Sequence, residues 1–127
     1  PMRIRPYRAL HPVEAFGLRI EGPSEDDPER LVSLFYTGDT DLCDTIIEGA
    51  RGVDVLLSEV GFTSDETEPD MHMDGVRAGE VATRAGVARM IATHIQPWTP
   101  RDRVASEVRQ TWSGPLDFAT SGMQVSL

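Results

Sequence analysis

The sequence predicts an α+β domain in which buried strands alternate with helices. Three observations carry that reading: apolar runs bounded by turn residues, segments of helical periodicity opened by capping residues, and a length suited to one core. At 127 residues the chain has room for a single compact domain. Its 39% hydrophobic and 26% charged residues are the balance of a soluble globular protein.

The elements follow in order. "MRIRPYRAL" (2–10) alternates in part and predicts a strand, and "EAFGLRIE" (14–21) predicts a second. The acidic "SEDDPE" from Ser24 to Glu29 is the solvated hairpin loop after it. "RLVSLFYTG" (30–38) is nearly continuous in apolar residues, the pattern of a strand covered on both faces. A helix is expected over 41–50, with Leu42, Ile46 and Ile47 on one side and Cys43 as a small buried side chain. "VDVLLSEVGF" (53–62) predicts a further buried strand. Asp74 is a good N-cap for a helix to about residue 85, with Ala78, Val81, Ala82 and Ala85 inward. "ARMIATH" (88–94) is the next strand. Pro100 suits the first turn of a helix over 101–112, and short strands at 115–119 and 122–127 close the chain.

Charge and cysteine content narrow the function classes. Twenty-one acidic residues face twelve basic ones, all arginine, for a net charge of -9. Such a chain repels a polyphosphate unless a local basic stripe overcomes the field, and the sequence has none, so a large nucleic acid is not the expected partner. No apolar run approaches the roughly 18 residues of a membrane span, and no charged-then-apolar leader opens the chain. One cysteine, Cys43, cannot form an internal disulfide, which fits a reducing compartment. A cytoplasmic location is expected.

Polar residues at strand ends carry the chemistry. "LFYTGD" delivers Asp39, "MIATH" delivers His94, and His11 follows the first strand beside Pro12. Loops beyond strand ends gather ligands because the sheet fixes their spacing while leaving side chains accessible. One carboxylate and two imidazoles suit zinc or a similar divalent ion. Gly38 permits a tight turn before Asp39, and Thr40 and Asp41 are candidate caps for the following helix. Glu59 reads as a strand-end carboxylate behind a site rather than as a ligand.

Taken together these stretches resemble the C-terminal half of a metallo-β-lactamase-fold hydrolase. "HPVEAFGLRIE" is similar to the family's third histidine motif and "LFYTGDTD" to its metal-bridging aspartate motif. "VDVLLSEVGF" looks like the strand that follows, and "HMDGVRAGEVATRAGVARMIATHIQPW" like the segment bearing its last metal histidine. The resemblance implies half of a four-layer αββα sandwich: a mixed sheet with helices on one face. It implies that His11 binds one divalent ion, His94 a second, and Asp39 both, the ions being zinc or alternatively manganese. His72 matches a histidine of the phosphodiesterase-like branch, which includes ribonuclease Z and certain cyclic-nucleotide phosphodiesterases. There it would contact the scissile phosphate or help protonate the leaving oxygen.

The implied function is metal-assisted hydrolysis of a phosphodiester, with Asp39 and His72 as the catalytic residues. The acidic balance favours a small substrate such as a cyclic nucleotide over RNA; a β-lactamase or lactonase activity fits the His72 segment less well. One departure matters. The family's His-x-His-x-Asp-His motif is missing, and the three histidines of the sequence are all placed already. The chain is therefore expected to be the C-terminal part of a single longer domain and inactive alone. It would pair with another copy or with the missing N-terminal half to cover its bare sheet face. The alternatives are a non-catalytic half-domain acting as a binding or assembly module, and a ribonuclease Z-like nuclease.

Overall fold

Short turns join the first three strands, so they form an antiparallel meander, and longer helical crossovers make the remaining pairings parallel. The computed structural model describes residues 1–127. In it β1 (Arg3–Arg8), β2 (Phe16–Pro23) and β3 (Leu31–Tyr36) precede α1 (Asp44–Ala50), β4 (Val55–Glu59) and α2 (Gly75–Ala85). β5 (Arg89–Thr93), α3 (Arg101–Val108) and β6 (Leu116–Phe118) complete the chain. One six-stranded sheet runs in the order β1-β2-β3-β4-β5-β6, antiparallel from β1 to β3 and parallel from β3 to β6. This is a mixed α+β sheet, as the sequence predicts.

The period of two along each strand divides the sheet into unlike faces. Phe35, Leu56, Met90 and Ala92 point to the helices and share a core with Ile46, Ala78, Val81, Val104 and Val108. Phe35 has no exposed surface; truncating such a side chain to alanine costs about 3–5 kcal/mol. Ile20, Val32, Leu34, Leu57 and Ile91 point the other way, where no helix packs. β3 is thus covered by helices on one face only, against the expectation of two. Instead the C-terminal tail crosses part of that second face, with Met123, Val125 and Leu127 beside Leu34, Leu57 and Ile91.

Several boundaries differ from the periodicity. The first helix starts at Asp44 rather than 41, its N-cap is the half-buried Cys43, and neither Thr40 nor Asp41 caps it; both are engaged elsewhere, as described below. α2 agrees: the Asp74 side chain accepts from the Arg77 N–H at 2.9 Å, and Gly86 ends it at φ 66°, where a Cβ is costly. Pro100 is the N-cap of α3 rather than a first-turn residue, and the helix stops at Val108. Residues 109–111 continue as turns ahead of Gly114 and Pro115. The predicted strand at 122–127 does not form. Its last carbonyl, Leu127, instead accepts from Glu25 N–H at 2.9 Å and Ser24 Oγ at 2.8 Å. No helix is long and apolar enough to cross a membrane.

Candidate metal centre

Four side chains from four separate segments meet beyond the β3–β5 strand ends. Donor atoms of His11, Asp39 and His72 lie within 4.8 Å of one another, and so do those of Glu59, His72 and His94. The His72 ring is 5.6 Å from that of His11 and 5.1 Å from that of His94. His94 Nδ1 is 3.9 Å from Asp39 Oδ1. The structure thus brings His11, Asp39, His72 and His94 together, and it adds Glu59 behind them.

Local backbone explains each placement. Gly38 adopts φ 60°, and a Cβ there would lie 2.6 Å from the Phe16 carbonyl oxygen, so glycine is required to turn β3 into Asp39. His94 itself has φ 58°, a left-handed conformation uncommon outside glycine and concentrated at functional sites. It ends β5 abruptly and turns the ring across the strand end. His11 is fixed by its own loop, with Nδ1 3.0 Å from the Val13 carbonyl. Val13 N–H also lies 3.3 Å from Nδ1, so Val13 engages that nitrogen and Nε2 is the ring nitrogen left without a protein partner.

Glu59 and His72 form a different kind of unit. The Glu59 side chain has no exposed surface and lies 2.7 Å from His72 Nδ1. It also accepts from Thr40 N–H at 2.9 Å, Gly61 N–H at 2.8 Å and Met73 N–H at 3.3 Å. Burial pushes its pKa up, and the Thr40 amide, His72 and the Gly61 amide oppose that rise. Gly61 lets the pair close, since a Cβ there would lie 3.0 Å from His72 Cγ. Phe62 packs edge-on against the other side of the His72 ring at 5.1 Å. Burial first, and then the charges of Asp39 and Glu59, also raise the pKa of Tyr36 at the end of β3, a mark of the negative field at this end of the sheet.

The donor set fits a divalent cation. Imidazole and carboxylate are the ligands of zinc and its neighbours, and Asp39 and His94 keep their polar atoms free of other side chains' hydrogen bonds. Glu59, with both oxygens occupied by N–H donors, orients a histidine, as carboxylates do behind metal sites. Sequence reasoning missed how the segments are tied. The carboxylate of Asp41 accepts from Asp70 N–H at 2.9 Å and Arg77 Nη2 at 2.8 Å, and Thr40 Oγ1 accepts from Leu10 N–H at 3.0 Å. These bonds join residues far apart in sequence, so no local pattern marks them.

Residues 2–95 match the family described as "Beta-lactamase superfamily domain". The chain belongs to this superfamily. It is 47% identical over 116 residues to an uncharacterized protein of Mycobacterium tuberculosis, a match covering 91% of this chain and 40% of that one. It is 28% identical to the ribonuclease Z of Myxococcus xanthus, over 100% of this chain and 40% of the relative. Among solved structures it is similar to the metallo-beta-lactamase fold protein YhfI from Bacillus subtilis, with 27% identity and a TM-score of 0.84. That superposition covers 97% of this chain and 48% of YhfI. The chain therefore spans less than half the length of these relatives and has the architecture of half a metallo-β-lactamase domain, its single sheet clad by helices on one face.

Proposed function

We propose that this chain is the C-terminal part of a divalent-metal hydrolase that cleaves a small phosphodiester. The observation that carries the reading is the gathering of open donor atoms from His11, Asp39 and His94 around an imidazole, His72, that a buried carboxylate holds. His11, Asp39 and His94 would hold the ions, with Asp39 shared, and the superfamily's other ligands would come from the portion of its relatives that this chain does not span. Zinc or manganese held there supplies Lewis acidity toward a phosphoryl oxygen and toward water. His72 handles the proton. Glu59 holds its Nδ1–H, fixes the ring and stabilises the charged imidazolium, so that Nε2 can donate to the departing oxygen. The net charge of -9 supports a cyclic nucleotide or similar small substrate over RNA.

A second reading, an RNA-processing nuclease, is supported by the similarity to a ribonuclease Z; a non-catalytic module is supported by the small number of ligands the chain supplies itself. The test joins this chain to the N-terminal portion of the Mycobacterium tuberculosis relative and offers cyclic nucleotide and precursor RNA with and without chelator. Cyclic-nucleotide hydrolysis that chelation abolishes and zinc or manganese restores is the expected result. Cleavage of RNA alone would favour the nuclease, and no turnover by the metal-replete protein would favour the module. Zinc should bind the 127-residue chain weakly and the joined protein orders of magnitude more tightly, because ligands are added.

The open sheet face bears on partners. Soluble monomers rarely expose an apolar patch beyond a few hundred Å², and beside Ile20, Leu34 and Leu57 only the two chain ends approach, Pro1 and Met2 on one side and Met123, Val125 and Leu127 on the other. We infer that a second copy or the complementary half of the domain covers this face. Light scattering with intact mass spectrometry should find a dimer of the isolated chain, and a stable monomer without a companion would contradict the inference.

A further inference from the structure

We propose that Asp41 is a positioning residue whose carboxylate pins the loop of Asp39 to that of His72 and to α2, and that metal affinity depends on it through Asp39 although it binds no metal. The proposal rests on the metal-centre reading above. Asp41 lies two residues after Asp39, and its side chain is 2% exposed. Its backbone N–H donates to the Leu10 carbonyl at 2.8 Å, forming an isolated antiparallel bridge directly before His11. Its Oδ2 accepts from the N–H of Asp70 at 2.9 Å, two residues before His72. The same oxygen accepts from Arg77 Nη2 at 2.8 Å, in the first turn of α2. Oδ1 accepts from Leu42 N–H at 2.6 Å.

One residue thus bonds through its backbone to the loop that carries His11 and through its carboxylate to the loop that carries His72, while sitting on the loop that carries Asp39. The same loops are also tied through Thr40, which accepts from Leu10 N–H, and through Glu59, which accepts from Thr40 N–H and Met73 N–H; Asp41 supplies the direct bond from the Asp39 loop to Asp70 and α2. Asp70 adopts φ 62°, a left-handed turn conformation that aspartate tolerates better than most residues, and its N–H is thereby presented to Asp41. Both carboxylate oxygens are occupied and turned into the protein, which excludes Asp41 as a ligand. Groups that orient ligands commonly change metal affinity by about 10- to 100-fold when removed, and a site tolerates only about 0.5 Å of misplacement.

The test uses the 127-residue chain. Without metal, ring-to-ring nuclear Overhauser contacts between His11 and His72 should be present in the wild type and lost in Asp41→Ala, while contacts within the β3–β5 sheet remain. Zinc affinity, read by competition with a chromophoric chelator, should fall about tenfold or more in Asp41→Ala. Asp41→Asn keeps an acceptor for the Asp70 N–H but sets its NH2 against the Leu42 N–H, so it should restore only part of it. In the wild type the Asp70 amide should exchange as slowly as amides of the β3–β4 ladder, a readout that stands even where Asp41→Ala does not fold. Fast exchange at Asp70, or an Asp41→Ala chain that retains both the ring contacts and wild-type zinc affinity, would overturn the proposal. If the isolated chain binds no zinc, the affinity comparison is made in the joined protein, where absence of zinc would sink the metal reading instead, and the ring contacts and amide exchange still decide the role of Asp41.

Discussion

The Glu59–His72 pair and the His11–Asp39–His94 group sit within a few ångströms of each other and are built on opposite plans. Glu59 is fully buried and accepts from three backbone amides as well as from His72. Asp39 and His94 are 43% and 39% exposed at their side chains, linked only by a 3.9 Å approach. A group that must hold one proton in one place gains from a saturated, rigid shell. Donor atoms that must accept an ion gain from being left open. On the proposed reading the contrast assigns proton handling to the first and ion binding to the second, which distance alone does not.

That separation can be broken by substitution, most severely at the proton-handling side. In the joined protein, His72→Ala should lower kcat by about 10²–10⁴-fold, the range of general acid catalysis. Steady-state kinetics alongside metal analysis checks it, with metal content expected to stay at the wild-type level. A smaller effect, about tenfold in kcat, is expected for Gly61→Ala, because the added Cβ meets His72 Cγ at 3.0 Å and a displacement of a few tenths of an ångström degrades alignment. An unchanged kcat in that variant would mean the ring need not sit where the structure has it.

The smallest effect concerns pH. Burial raises the Glu59 pKa above its ordinary 4.5, so the folded chain retains this proton at a pH where the unfolded chain has released it. Stability from this group is therefore greatest at low pH and declines as pH rises from about its ordinary value through the raised one. Urea unfolding across that window should show a decline in the wild type that is absent from Glu59→Gln. Parallel pH profiles for the two chains would show that Glu59 ionises as it does in the unfolded state.

Much of this was legible in the sequence for physical reasons. Strand identity followed from apolar runs such as "VDVLLSE", and α2 from Asp74, whose capping role needs only the residues beside it. Asp39 and His94 stood out because each ends an apolar run. Other features depended on contacts that no window contains. Thr40 and Asp41 have the composition of helix caps, yet tertiary bonds to Leu10, Asp70 and Arg77 claim them, and the helix starts later. The tail at 122–127 alternates like a strand but finds no partner strand and lies instead over the open face. Glu59 could be read as a strand-end carboxylate, while its union with His72 required the loop from Gly61 to Met71 to fold back.

On the proposed reading His11, Asp39 and His94 bind the ions and His72 does not. Zinc calorimetry on Asp39→Ala and His72→Ala in the joined protein separates the two roles. Asp39→Ala should lose affinity by more than about 100-fold, beyond what removal of an orienting group causes, with reduced occupancy of both ions, whereas His72→Ala should keep wild-type affinity and stoichiometry. Equal loss of zinc in the two variants would contradict it and make His72 a ligand.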